Sequence, residues 1–109
     1  MKLKDIYPSE VKSKKYTAEF CMCKGGKSVC EKPQRKMVSF GAEGYKDFIQ
    51  YSKESETVAD LHKKNYLSRH ITTENWNDPV SPGALSRWIL WNKPTLKASI
   101  LDFKKRFNL

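Results

Sequence analysis

The sequence predicts an α+β fold: a small N-terminal antiparallel sheet of about three strands packed on about four C-terminal helices. Three observations predict it. From Lys15 onward, Tyr16, Ala18, Phe20 and Met22 alternate with Thr17, Glu19, Cys21 and Cys23, which is the period of a strand with one buried face. Lys24-Gly25-Gly26-Lys27 is a two-residue hairpin signal, because glycine supplies the positive φ of the favoured turns. The stretch from Pro79 to Phe107 holds two of the three tryptophans and spaces its apolar residues as helices do.

Taken in order, residues 1–14 mix lysines with Ile6, Tyr7, Pro8 and Val11 and follow neither period. They read as a basic N-terminal arm ahead of a single domain spanning 15–109. Such an arm is mobile alone, with Ile6, Tyr7 and Val11 as its docking residues. The first strand turns at the glycine pair and returns over Ser28 to Glu31. Pairing Lys24 with Lys27 sets Cys21 opposite Cys30 without a ladder hydrogen bond, close enough for a disulfide, although a reducing compartment favours free thiols. After Pro33, Arg35 to Phe40 gives a third strand with Val38 and Phe40 inward.

Gly41 and Gly44 bracket a turn, and Tyr45, Phe48 and Ile49 then mark a short helix. Glu54, Ser55, Glu56 and Thr57 offer caps for a second helix running to about His70 with Val58, Leu61 and Tyr66 inward. Ile71 to Val80 is a polar loop anchored by Trp76. Ser81 as N-cap and Pro82 at the first helical position start a third helix. Leu85, Trp88, Ile89 and Trp91 leave it apolar on most of its circumference, so it should be buried. Asn92, Lys93 and Pro94 interrupt. Leu96, Ile100, Phe103 and Phe107 then share one face of a fourth helix whose last turn is lysine-rich, as its negative end favours. These eight apolar residues are the expected core, and Trp88→Ala should cost roughly 3 to 5 kcal/mol there.

The formal charge is +9, and residues 1 to 36 carry nine Lys and one Arg against Asp5, Glu10, Glu19 and Glu31. That excess points to an anionic partner: nucleic acid, an acidic protein surface or anionic lipid. No apolar run approaches a membrane span, and the N-terminus lacks the apolar segment of a secretory signal, which predicts a cytosolic or nuclear chain. Cys21, Cys23, Cys30, His62 and His70 lack the paired spacing of a zinc site, so no metal and no cofactor is expected. Gly25-Gly26 has no following helix and FGAEG no P-loop lysine, so neither cradles phosphate. Arg69, His70 and Glu74 would suit a proton transfer, but a histidine at a helix C-terminus is ordinarily structural. No catalytic constellation and no small-molecule site stands out. Arg87-Trp88 and Trp91-Asn92-Lys93 interleave cations with rings, as a base-stacking surface does, but their helical spacing assigns the rings to the core.

The segments FGAEGYKDF, YLSRH, ENW, SPGALSRWILWNKPTL and KRF, in that order between Val38 and Phe107, resemble a small protein family encoded by large nucleocytoplasmic DNA viruses of algae and amoebae. The resemblance implies a viral setting, either the virion or a virus factory in the host cytoplasm, and leaves the N-terminal arm and the glycine hairpin outside it. The function expected is therefore that of a non-catalytic viral structural or packing protein, virion-associated and in contact with other virion proteins. Lys2, Lys4, Lys12, Lys14, Lys15, Lys24, Lys27, Arg35 and Lys36 would engage an acidic neighbour. The alternative uses the same cations for sequence-independent DNA or RNA binding, in the virus factory or on packaged DNA.

Overall fold

The computed structural model describes residues 1–22 and 35–109. Three strands, β1 (Lys2–Pro8), β2 (Lys14–Cys21) and β3 (Arg35–Ala42), form an antiparallel sheet in the order β1-β2-β3. Helices α1 (Phe48–Glu54), α2 (Glu56–His70), α3 (Pro82–Leu85) and α4 (Leu96–Phe107) follow. The α+β class is as the sequence predicts, but the strands are partly different ones.

The first correction concerns residues 1–14. Lys2–Pro8 is a strand of the domain itself, with Leu3 and Ile6 buried in the core. The register shifts between Leu3 and Asp5, so Leu3 lies opposite Phe20 and Ile6 opposite Ala18 on the same face although they are three positions apart. A bulge of this kind adds one residue to one strand and breaks period two locally. Asp5 helps hold the irregular stretch, its Oδ1 accepting from the Ile6 amide at 2.8 Å. Val11, expected to dock, is exposed.

In β2 and β3, Ala18, Phe20, Val38 and Phe40 are buried as alternation requires, whereas Met22 is exposed. On the opposite face the hydroxyls of Ser9, Thr17 and Ser39 bond one another at 2.9 to 3.3 Å. Cys21 is buried and disulfide-bonded, and its cross-strand positions are taken by Lys2 and Arg35. The expected pairing with Cys30, the return strand over Ser28 to Glu31, the glycine hairpin and Cys23, Lys24 and Lys27 lie outside the described residues.

The caps of α2 and α3 are among those the sequence offers, and α4 adds one at Thr95 beyond those expected. Ser55 accepts from the Val58 amide, Ser81 from Ala84 with Pro82 following, and Thr95 from Ala98. Each satisfies an amide that has no partner within its own helix. Asp47 caps α1 in a capping box with Gln50. Tyr45 lies outside α1 and is exposed, while Phe48 is buried. Past Leu85, α3 continues as a π-helical turn, Ser86–Leu90, closed by the Trp91 amide donating to Ser86 O at 3.1 Å. Asn108 takes the left-handed conformation that ends α4.

One apolar cluster joins sheet to C-terminal helices: Leu3, Ile6, Ala18, Phe20, Val38 and Phe40 against Leu85, Ile89, Leu90 and Phe103. Phe103 meets Phe20 and Phe107 edge-on, with ring centroids 6.4 and 5.1 Å apart. Of the eight expected core residues, Leu85, Ile89 and Phe103 are fully buried, whereas Trp88, Trp91, Leu96, Ile100 and Phe107 pack on its rim. Trp88 is half-buried because its ring is stacked by charge: the Arg106 and Arg87 guanidinium carbons lie 3.7 and 4.1 Å from its centroid, and its Nε1 donates to Trp76 O at 2.8 Å. The loop of Trp76 is thus tied down through its backbone carbonyl, while the Trp76 ring, expected to anchor it to the core, lies against Arg87 outside the apolar cluster. Neither α1 nor α2 contributes a residue to this cluster. They pack on each other, with Phe48, Ala59 and Tyr66 buried.

Candidate functional site

The lysine alternating with core residues at the start of β2 determines where α1 sits. Lys15 Nζ donates to Asp47 Oδ2 and to Gln50 Oε1, both at 2.8 Å, and both carboxylate and ammonium are largely buried. Gly41, at φ +81°, permits the matching approach on β3, because a Cβ there would lie 2.7 Å from Leu90 Cδ1. The helical pair α1–α2 consequently stands beside the sheet end rather than on it, leaving two open grooves.

The first groove, of about 590 Å³, runs between the sheet end, α2 and α3. It is lined by Lys14, Tyr45, Lys46, Arg69 and His70, with stacked rings behind them. Tyr66 stacks on Trp91 (4.5 Å, 6°) and on His70 (4.4 Å, 29°), and Tyr51 on His62 (3.9 Å, 5°). Burial, reinforced by the Glu74 carboxylate, pushes the Tyr66 phenol above its ordinary pKa, so it stays protonated. The second groove, of about 810 Å³, continues from the first around Tyr45 and is lined by Lys12, Lys53, Glu43 and Ile49 among others. Lys14, Lys15, Tyr45, Lys46 and Asp47 line both.

Electrostatically the walls are unbalanced. Asp47 is taken by Lys15, and Glu54 by Lys46 at 2.7 Å. Glu74 accepts from Trp76 Nε1 at 3.1 Å and pairs with His70 Nδ1 at 3.0 Å. Among the described residues, Lys12, Lys14, Lys53 and Arg69 have no ion-pair partner, and Glu43 is the one carboxylate of the groove walls left unpaired. Farther along α2, Lys63 donates to Asn92 O at 2.8 Å and lies 4.7 Å over the Phe48 ring. Burial, then the neighbouring Arg87 and Lys93 charges, lower its pKa.

Of the nine cations expected to act together, Lys24 and Lys27 lie outside the described residues, and the other seven do not converge. Lys12 and Lys14 line the grooves, and Lys15 does so with its charge spent on Asp47. Lys2 and Lys4 are exposed on β1, and Lys36 is exposed on β3 across β2 from them. Arg35 lies 3.8 Å from Glu19. The groups that join Lys12 and Lys14 are Lys46, Lys53 and Arg69, with Tyr45 between them, none of which the charge distribution along the sequence singles out. His70 and Glu74 do meet, with His70 held by Glu74 and by the Tyr66 ring, while Arg69 lines the same groove and, among the described residues, pairs with neither. No group of three or more His, Cys, Asp or Glu among the described residues could hold a metal ion, and no helix there is long and apolar enough to cross a membrane.

No curated protein and no solved structure matches the chain. A protein-family model does match, over residues 4–70, so it runs from within β1 to the end of α2 and takes in every groove residue from Lys12 to His70. The match spans more than half of the sequence, and the chain therefore belongs to the family of unknown function DUF5754.

Proposed function

We propose that the protein is a non-catalytic nucleic-acid-binding module whose phosphate contacts come from the walls of the two joined grooves. The observation that carries this reading is the set of cations Lys12, Lys14, Lys53 and Arg69, unpaired among the described residues, on a continuous surface where Asp47 and the neighbouring Glu54 are already neutralised by Lys15 and Lys46. A concave surface lined by one sign of charge raises the local concentration of a polyanion and speeds its encounter. Three of those four cations are lysine ammoniums, which suit phosphates, so binding would be driven mainly by phosphate and independent of sequence.

The competing idea, a basic arm ordered by an acidic protein neighbour, loses its premise because Leu3 and Ile6 already find their apolar partners within this domain. A structural or packing role in a viral particle remains compatible with nucleic-acid binding. The viral setting itself rests on the resemblance of the segments between Val38 and Phe107.

Salt titration tests the reading. Four neutralised phosphates give a slope of log K against log salt of about −3 to −4. Lys14→Glu with Lys53→Glu should lower affinity by at least tenfold, while Lys2→Glu with Lys4→Glu should change it far less. Binding undetectable at low salt, binding indifferent to salt, or equal losses in the two variants would each refute it.

A further inference from the structure

We infer that this surface takes single strands, with one nucleobase stacked on the Tyr45 ring. The inference rests on the nucleic-acid reading above and adds the form of the ligand to it. Tyr45 is 75% exposed, more than any other large hydrophobic side chain described, and among the described residues it makes no hydrogen bond or ring contact. The other groove rings are committed within the protein: Tyr51 to His62, and Tyr66 to Trp91 and His70. Folding gives no reason for the position of Tyr45, because it adds nothing to the core and leaves an aromatic face in water.

Its position gives it a binding role. Tyr45 lines both grooves, as do Lys14 and Lys46, with Lys12 and Lys53 in one groove and Arg69 in the other. Gly44, at φ +90° with open space around it, turns the chain immediately before the ring, and the Glu43 amide donates to Ser13 O at 3.1 Å to fix the turn's base. A base on the ring would therefore have cations to either side of it for its flanking phosphates. This combination of a sequence-tolerant stacking platform and a cationic track is how single strands are held. In a duplex the base faces are occupied by neighbouring pairs, and an acidic polypeptide carries charge without regularly spaced π-faces. Both could use the lysines, but neither could use the ring.

Fluorescence anisotropy at one low salt concentration tests this with a short oligothymidylate, an abasic oligomer of the same length, a duplex and polyglutamate. Tyr45→Ala should weaken oligothymidylate binding about tenfold and leave the abasic oligomer unchanged. Tyr45→Phe should bind as the parent does, and all variants should melt close to the parent, since among the described residues the side chain has no hydrogen bond or ring contact to lose. The inference is overturned if Tyr45→Ala binds oligothymidylate as the parent does, or if the abasic oligomer, duplex or polyglutamate binds as tightly as oligothymidylate. In each of those cases but the last the broader reading survives, provided binding still falls with salt; polyglutamate binding as tightly would count against nucleic acid as the partner too. Failure of every probe to bind would overturn both.

Discussion

Replacing Asp47 with alanine removes two interactions from a site that is 4% exposed. Asp47 Oδ1 accepts from the Gln50 amide at 3.0 Å, and Oδ2 accepts from Lys15 Nζ at 2.8 Å. Losing an N-cap costs about 1 kcal/mol, and leaving a largely buried ammonium short of a partner costs about 1 to 3 kcal/mol. Gln50 Oε1 still accepts from Lys15 in the variant, which favours the lower part of that range. The expected total is about 2 to 3 kcal/mol, a substantial fraction of the roughly 5 to 15 kcal/mol that holds a domain together. Asp47→Asn keeps an oxygen for the cap and loses only the charge, so it should cost about half as much. Urea unfolding followed by tryptophan fluorescence measures both. A double-mutant cycle of Asp47→Ala with Lys15→Met should return a coupling of about 1.5 to 3 kcal/mol. An alanine variant within about 0.5 kcal/mol of the parent, the usual effect of an unremarkable surface change, would refute the assignment of this pair as the anchor of α1.

Three further outcomes are expected. Phe103→Ala should cost roughly 3 to 5 kcal/mol in the same assay, because the ring is fully buried between Phe20 and Phe107. Gly41→Ala should destabilise clearly more than Gly44→Ala: both have positive φ, worth about 1 to 2 kcal/mol to a side chain, but only Gly41 adds a collision with Leu90. Burial raises the Asp102 pKa, but hydrogen bonds from Asn92 and Arg106 and the charge of Arg106 outweigh it, so the net direction is down. Its contribution to stability is present above the ordinary carboxylate pKa and is lost as pH falls through the depressed one. Unfolding free energy should therefore drop below about pH 4, and less steeply in Asp102→Asn.

The sequence made the local chemistry legible where a single rule governed it. Ser81 before Pro82, the cap at Ser55, the alternation of Ala18 with Phe20 and of Val38 with Phe40, and the buried stripe through Leu85, Ile89 and Phe103 needed only period and capping. β1 was missed because the bulge near Asp5 puts Leu3 and Ile6 on one face at a spacing that belongs to no regular element. α2 was located and Tyr66 is inward as expected, but Val58 and Leu61 were misread. Val58 and Leu61 are exposed, and the side turned to α1 and Trp91 carries Ala59, His62, Lys63, Tyr66 and His70. A search for aliphatic residues overlooks such a stripe, although ring and lysine positions at i, i+4, i+8 contain it. The groove was harder still, since Lys12, Lys14, Lys53 and Arg69 meet only after the chain has folded.

Because α1 and α2 add nothing to the central apolar cluster, the protein should not open as one unit under native conditions. Amide hydrogen exchange should resolve two free energies of opening. Amides of β2 and of the segment from Leu85 to Leu90 should exchange only through global unfolding, while those within the α1–α2 pair, attached mainly through Lys15–Asp47, Lys63–Asn92 and the Tyr66–Trp91 stack, should exchange earlier and together. A ligand spanning both grooves bridges the two units and would slow exchange in the pair more than in the sheet. Binding could then be followed without any label on the ligand.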